Sequence, residues 1–178
     1  MKNLTPIAQK FILNWGEMGT KWGINRTVAQ IHALLFISEK PLTAEDIAGT
    51  LQVARSNVST SLRELQNWGI VRVVHIVADR RDHFESMKDV YEMFRTILRE
   101  RKRREIDPTA RMLQECIAES GHPKAGDAYT CERLAQLLEF FELARTVYEQ
   151  SEKLPTPAAI KLAKAGNKVF KLLGVAAG

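Results

Sequence analysis

The sequence predicts a mainly α-helical fold with a small β wing, and three observations carry that prediction. Pro41–Gly69, PLTAEDIAGTLQVARSNVSTSLRELQNWG, holds two short helical patterns joined by a tight turn. Directly after it, Ile70–Val77 reads IVRVVHIV, a β-branched apolar run of strand type, followed by a charged segment and a return. From Met87 the pattern changes to long helices with no sheet to cover them. Helices closed off by such a wing make a winged helix-turn-helix. The expected organisation is an N-terminal helix plus winged helix-turn-helix over residues 1–87, then a helical dimerisation region over 88–178.

Ile7, Phe11 and Trp15, with Ala8 and Ile12, recur at helical spacing and predict a helix over Thr5–Met18. Gly16, Gly19 and Gly23 are expected to loosen the chain around Trp22. Arg26–Ile37 is the next helix, with Val28, Ile31, Leu34 and Leu35 inward, and it stops ahead of Pro41. Thr43 followed by Asp46 is close to a capping box, the acid standing where Glu or Gln is usual. Ile47 and Leu51 then face inward, and Gly49-Thr50 and Gln52-Val53 break the pattern. In the second short helix Val58, Leu62 and Leu65 form the inner side. Gly69 stands where a left-handed C-cap is wanted.

In the wing, Ala78-Asp79-Arg80-Arg81-Asp82 is the expected tip and His83-Phe84-Glu85 the return. Val90, Phe94 and Ile97 then form a stripe along the first long helix. Asp107-Pro108 is expected to halt that run, Asp107 capping a new helix that ends near Ser120 before Gly121-His122-Pro123. Leu134, Leu137, Leu138, Phe141, Ala144 and Tyr148 mark another helix, and Lys153–Pro157 a linker. A last helix from Ala158 carries Ile160, Ala163, Phe170 and Leu173. Apolar stripes without a sheet are commonly buried by a second copy, so a homodimer is expected.

The functional signal lies on the outer side of the second short helix. Opposite Val58, Leu62 and Leu65 stand Ser56, Thr60, Arg63 and Asn67, with Arg55, Asn57 and Ser59 alongside. Short hydrogen-bonding side chains with arginine suit base edges and phosphates in a major groove. A merely solvated face is more often filled with Lys and Glu. Arg80 and Arg81 on the wing suit a minor groove or its flanking phosphates, against the plainer reading of a solvated turn. Double-stranded DNA is the expected partner.

The whole chain favours a polyanion without demanding one: 26 Lys+Arg stand against 21 Asp+Glu, a net charge of +5. Local runs have plainer explanations. Arg99–Arg104 fits the C-terminal end of a helix dipole, with phosphate contact as the alternative. Lys161, Lys164, Lys168 and Lys171 fit the wet face of an amphipathic helix. Cys116 and Cys131 are too few for a disulfide framework, and Cys116 sits in an apolar helical pattern as a buried thiol. The N-terminus shows no signal-peptide pattern and no stretch approaches a membrane span, so a cytoplasmic protein with no membrane association is expected. No P-loop, GxGxxG, HExxH or GxSxG occurs. His32, His75, His83 and His122 are scattered, and Asp79, Asp82 and His83 read as a charged hairpin tip. Neither catalysis, a metal nor a cofactor is expected.

Several local sequences resemble the GbsR-type branch of the MarR-like regulators. They are Trp22-Gly23-Ile24-Asn25-Arg26, Ser56-Asn57-Val58-Ser59, Leu62-Arg63-Glu64-Leu65, Trp68-Gly69, the wing Asp79-Arg80-Arg81-Asp82, and Glu100–Pro108, ERKRREIDP. The likeness covers roughly Gly16 to Pro108. It implies a cytoplasmic, homodimeric DNA-binding protein, usually a repressor, with some relatives answering to choline or glycine betaine. Ala54 departs from it, standing where such helices usually carry a Ser or Thr N-cap. A quaternary ammonium effector needs aromatic faces, and Phe11, Trp15, Trp22, Tyr91 and Phe94 are the candidates, with plain core as the simpler reading. The alternative function is a winged-helix protein-interaction module of a larger assembly that does not read DNA by sequence.

Overall fold

The computed structural model describes residues 4–120 and 128–166. The chain divides into two compact units, meeting between Ile97 and Leu98.

In the first unit, helix α1 (Pro6–Lys21) starts where the Thr5 side chain accepts the Ala8 N–H at 3.2 Å. Gly16 and Gly19 do not loosen this helix. Both lie inside it and are buried, and only Gly23, at φ +75°, leaves it. The reason is close packing on helix α2 (Arg26–Ile37): a Cβ at Gly19 would stand 2.5 Å from that of Ala29. Asn25 caps α2 by accepting the Thr27 N–H at 2.8 Å, and Val28, Ile31, Leu34 and Leu35 are buried as expected. At its other end, Lys88 Nζ donates to the carbonyls of Leu35, Phe36 and Ser38 at 3.1, 2.9 and 2.7 Å. That cation sits where the helix dipole is negative and where carbonyls lack partners.

Strand β1 (Leu42–Thr43) leads into helix α3 (Ala44–Leu51). The capping box is complete: Thr43 Oγ1 accepts the Asp46 N–H and Asp46 Oδ2 accepts the Thr43 N–H, both at 3.1 Å. Gly49-Thr50 does not break the helix, which runs on to Leu51 and ends at the left-handed Gln52, φ 58°. Helix α4 (Arg55–Asn67) buries Val58, Ser61, Leu62 and Leu65. At its end the Gly69 N–H reaches Gln66 O and the Ile70 N–H reaches Leu65 O, with Gly69 at φ +75°. This Schellman pattern is what a glycine just past the helix permits.

Strands β2 (Val71–Ile76) and β3 (Asp79–Ser86) are antiparallel, and β1 adds to the other edge of β3, giving the order β1-β3-β2. The charged segment is not the tip of this wing. Ile76 pairs with Asp79, so Val77-Ala78 is the tip and Asp79-Arg80-Arg81-Asp82 opens the return strand. Ala78 makes the turn at φ 70°. The core of the unit joins Ile12, Ile31, Leu35, Ile47, Val58, Leu62, Leu65, Ile70 and Phe84. Helix α5 (Val90–Arg101) contributes Met93 to it, with Ile97 beside it; Val90 and Phe94, expected inward, are exposed. The buried side of α5 is therefore rotated toward Met93.

In the second unit Asp107-Pro108 does not halt the helix. A π-helical turn (Lys102–Ile106) joins α5 to helix α6 (Asp107–Ser120), and Asp107 is itself helical, φ −64°, ψ −40°. Its N–H bonds Lys102 O, five residues back, a wider turn set just before Pro108, which has no N–H to continue the ordinary ladder. Helix α7 (Ala128–Lys153) turns Leu134, Leu138, Phe141, Ala144 and Tyr148 to a half-buried side. Leu137, expected with them, instead lies exposed, as do Phe140, Leu143 and Val147. Helix α8 (Thr156–Lys164) begins two residues earlier than expected, with Pro157 in its first turn. Gly121-His122-Pro123, Lys168, Phe170, Lys171 and Leu173 lie outside the described residues. No described helix is long and apolar enough to cross a membrane.

Candidate nucleic-acid interface

Helix α4 sits on the core by one side only, so the opposite side is free over its whole length. Arg55, Ser56, Asn57, Ser59, Thr60, Arg63 and Asn67 are all exposed. On one flank, Arg55, Ser59 and Arg63 border a notch of about 330 Å³ whose other wall is Glu45 from α3 with Arg81 and Asp82 from β3. On the other flank, Asn57 and Thr60 border a groove of about 220 Å³ together with Asn25 and Thr27 at the start of α2. The fold thus brings one wing arginine, Arg81, to the α4 arginines. Arg80, its neighbour on an alternating strand, is exposed but does not line that notch.

The arginines differ in what holds them. Arg55 Nη1 pairs with Glu45 Oε1 at 2.5 Å. Arg81 grips Asp79 with both sides of its fork, Nε to Oδ1 at 3.0 Å and Nη2 to Oδ2 at 2.5 Å. The Arg81 hydrogen bonds hold the Asp79 carboxyl far below the usual carboxylate range, and Asp79 raises Arg81 in return. Among the described residues, neither Arg63 nor Arg80 has a carboxylate at ion-pair distance. The start of α4 has no side-chain cap at Ala54, as expected from sequence. Glu45 and Asp79 were missed as functional candidates. The signal for Asp79 was available: residues two apart on a strand share a face, and Asp79 and Arg81 are so spaced.

The basic run Arg99–Arg104, spanning the end of α5 and the π-helical turn, is paired within its own unit. Arg99 pairs with Glu152 at 2.8 Å, Lys102 with Asp107 at 3.0 Å, and Arg103 and Arg104 share Glu100 at 2.6 and 3.3 Å. Hydrogen bonding to Arg103 lowers the Glu100 carboxyl, with desolvation opposing. Cys116 and Cys131 are half-buried free thiols.

Of the five aromatic residues singled out for an effector, Trp15, Trp22 and Phe94 line one apolar cavity with His32, Trp68 and Ile97. Phe11 lies outside that lining, its ring centroid 5.5 Å from that of Trp15. Tyr91 is exposed and does not reach the cavity. The enclosed space is about 30 Å³, room for a water molecule or two. His32 is 4% exposed and its Nε2 has no hydrogen-bond partner. Burial pushes its pKa down to about 4.

Residues 22–82 match the model of the MarR family. No curated protein matches the chain. Among solved structures, the chain is similar to a transcriptional regulator with 16% identity and a TM-score of 0.62, covering 82% of this chain and 95% of that one. At this identity the likeness speaks to the fold. It is also similar to S. aureus MepR in complex with DNA, with 19% identity and a TM-score of 0.38, covering 64% of this chain and 94% of that one. The family match thus falls on the helix-turn-helix and wing that residues 22–82 build, and the fold of the chain is that of a winged-helix protein.

Proposed function

We propose that the chain reads double-stranded DNA by sequence as a homodimer of the GbsR-type branch and acts as a repressor. The carrying observation is the outer side of α4, exposed from Arg55 to Asn67 and flanked by Arg81 of the wing. In this reading Ser56, Asn57, Ser59, Thr60 and Arg63 address base edges in the major groove, and Arg55, Arg80 and Arg81 address phosphates or the minor groove. Arg63 is the residue to test first, because among the described residues it is held by no carboxylate. Arg63→Ala should weaken binding to the best site by roughly 1–3 kcal/mol if it reads a guanine. Selection of sites from random duplexes, followed by footprinting, measures this. Unchanged affinity for every duplex sinks the assignment, and binding insensitive to salt favours a protein partner for the winged helix.

The effector reading attaches to the cavity under Trp15, Trp22 and Phe94. A choline-like cation is much larger than the enclosed space, so binding requires those rings to part. Calorimetry with choline and glycine betaine tests it: no heat and no thermal shift at millimolar ligand retires the effector and leaves DNA reading intact.

A further inference from the structure

We propose that Glu45 and Asp79 are built-in competitors for DNA phosphate, occupying Arg55 and Arg81 and so lowering the sequence-independent part of the protein's DNA affinity. The inference rests on the DNA-reading function proposed above. A guanidinium fork matches one carboxylate or one phosphate in the same two-pronged geometry. Asp79 fills the fork of Arg81 in that manner, with 3.0 and 2.5 Å contacts, and Glu45 holds Arg55 at 2.5 Å. Arg55, Arg81 and Glu45 border one notch between the reader helix and the wing, and Asp79 reaches it through Arg81.

Three of the four side chains are exposed, Arg55 and Glu45 keeping 60% and 48% of their accessible surface and Arg81 56%, while Asp79 keeps 26%. Exposed pairs are weak, so a phosphate can exchange with either carboxylate at small cost. The displaced carboxylate then remains beside the phosphate and repels it. Non-specific binding is driven almost wholly by phosphate charge, so that loss has no base contacts to offset it. On a matching site, Arg63 and the short polar residues of α4 add contacts that do not pass through either carboxylate.

The test compares full-length wild type with Glu45→Gln, Asp79→Asn and the double variant on a short duplex of arbitrary sequence across a salt series. Each neutralisation should tighten binding roughly two- to fivefold, the scale of an exposed ion pair. The salt slope should steepen by up to about one unit for each arginine released. In an Arg81→Gln background, Asp79→Asn should tighten binding clearly less than in wild type, because only its direct repulsion of phosphate is removed and no arginine is released. Weaker or unchanged binding by the variants, at unchanged melting temperature, overturns the inference and makes the carboxylates orienting partners. Should Asp79→Asn unsettle the wing, Glu45→Gln at the exposed start of α3 carries the same test. Loss of binding in Arg63→Ala with both carboxylate variants neutral removes the inference alone. Failure of the wild type to bind any duplex at low salt removes the DNA-reading function with it.

Discussion

Burying His32 between the rings of Trp15 and Phe36, at 6.2 and 6.3 Å, leaves its Nε2 without a partner and its charged form without solvation. The folded chain therefore takes up this proton only near pH 4, whereas the unfolded chain takes it up near 6.5. The folded pKa is depressed, so the unfolded state binds more protons between those values and stability must rise with pH there. The contribution is fully present above about pH 6.5 and is lost as pH falls toward 4, by as much as about 3 kcal/mol. Thermal melts between pH 7.5 and 5 should show a falling midpoint for the wild type and a flatter one for His32→Gln. Parallel curves would mean that His32 is more hydrated than its packing indicates. Asp46, lowered mainly by its hydrogen bond from the Thr43 hydroxyl, acts in the same direction but below the ordinary carboxylate range, so the two windows separate. Nothing in the sequence marks His32, because it shares its helix with four stronger inward residues and burial of a histidine depends on what α1 lays over it.

Helix positions were readable wherever apolar spacing and a cap agreed. Arg26–Ile37 and the Thr43/Asp46 box came out as expected because each rests on contacts within a few residues. Departures occurred where a distant element decides. Gly16 and Gly19 look like breakers locally, but α2 needs them small so that the helix axes can close up. Gly19→Ala should thus cost about 1–3 kcal/mol by overpacking against Ala29, read from the denaturation midpoint. A Gly19→Ala variant as stable as wild type would mean that α1 can slide away from α2. Asp-Arg-Arg-Asp reads as a turn, yet pairing with β2 draws it into a strand and leaves the apolar Val77-Ala78 at the tip. Among the proposed interface residues, those on α4 were legible from periodicity, whereas the partners of Arg55 and Arg81 required the placement of α3 and the strand face. Ala54 leaves the first turn of α4 uncapped. Ala54→Ser should stabilise that helix by about 1 kcal/mol and slow hydrogen exchange at residues 56 and 57. Unchanged exchange would show that the Arg55–Glu45 pair already holds the turn.

For the molecule as a whole, the proposed dimer has a physical demand behind it. Helix α7 is apolar on two sides. One is half-buried against its own unit; the other exposes Phe140 at 63%, Leu143 at 61% and Val147 at 61%, with Leu137 nearby. Large apolar side chains grouped on one side of a helix, here from Leu137 to Val147, are the usual mark of a surface that another helix covers. A second copy is the occupant that DNA reading calls for. Two-fold symmetry would set two α4 helices about one turn of DNA apart, ~34 Å, and would double the base contacts available to one site. Replacing Phe140 and Leu143 together by Glu should leave the winged unit folded, since neither residue is buried in the chain. Sedimentation at micromolar concentration should then shift from dimer to monomer. Affinity for a two-half-site duplex should fall toward that for a single half-site, because the second contact is no longer intramolecular. A wild type that sediments as a monomer, or a variant that stays dimeric with full affinity, places the pairing surface elsewhere than on this side of α7.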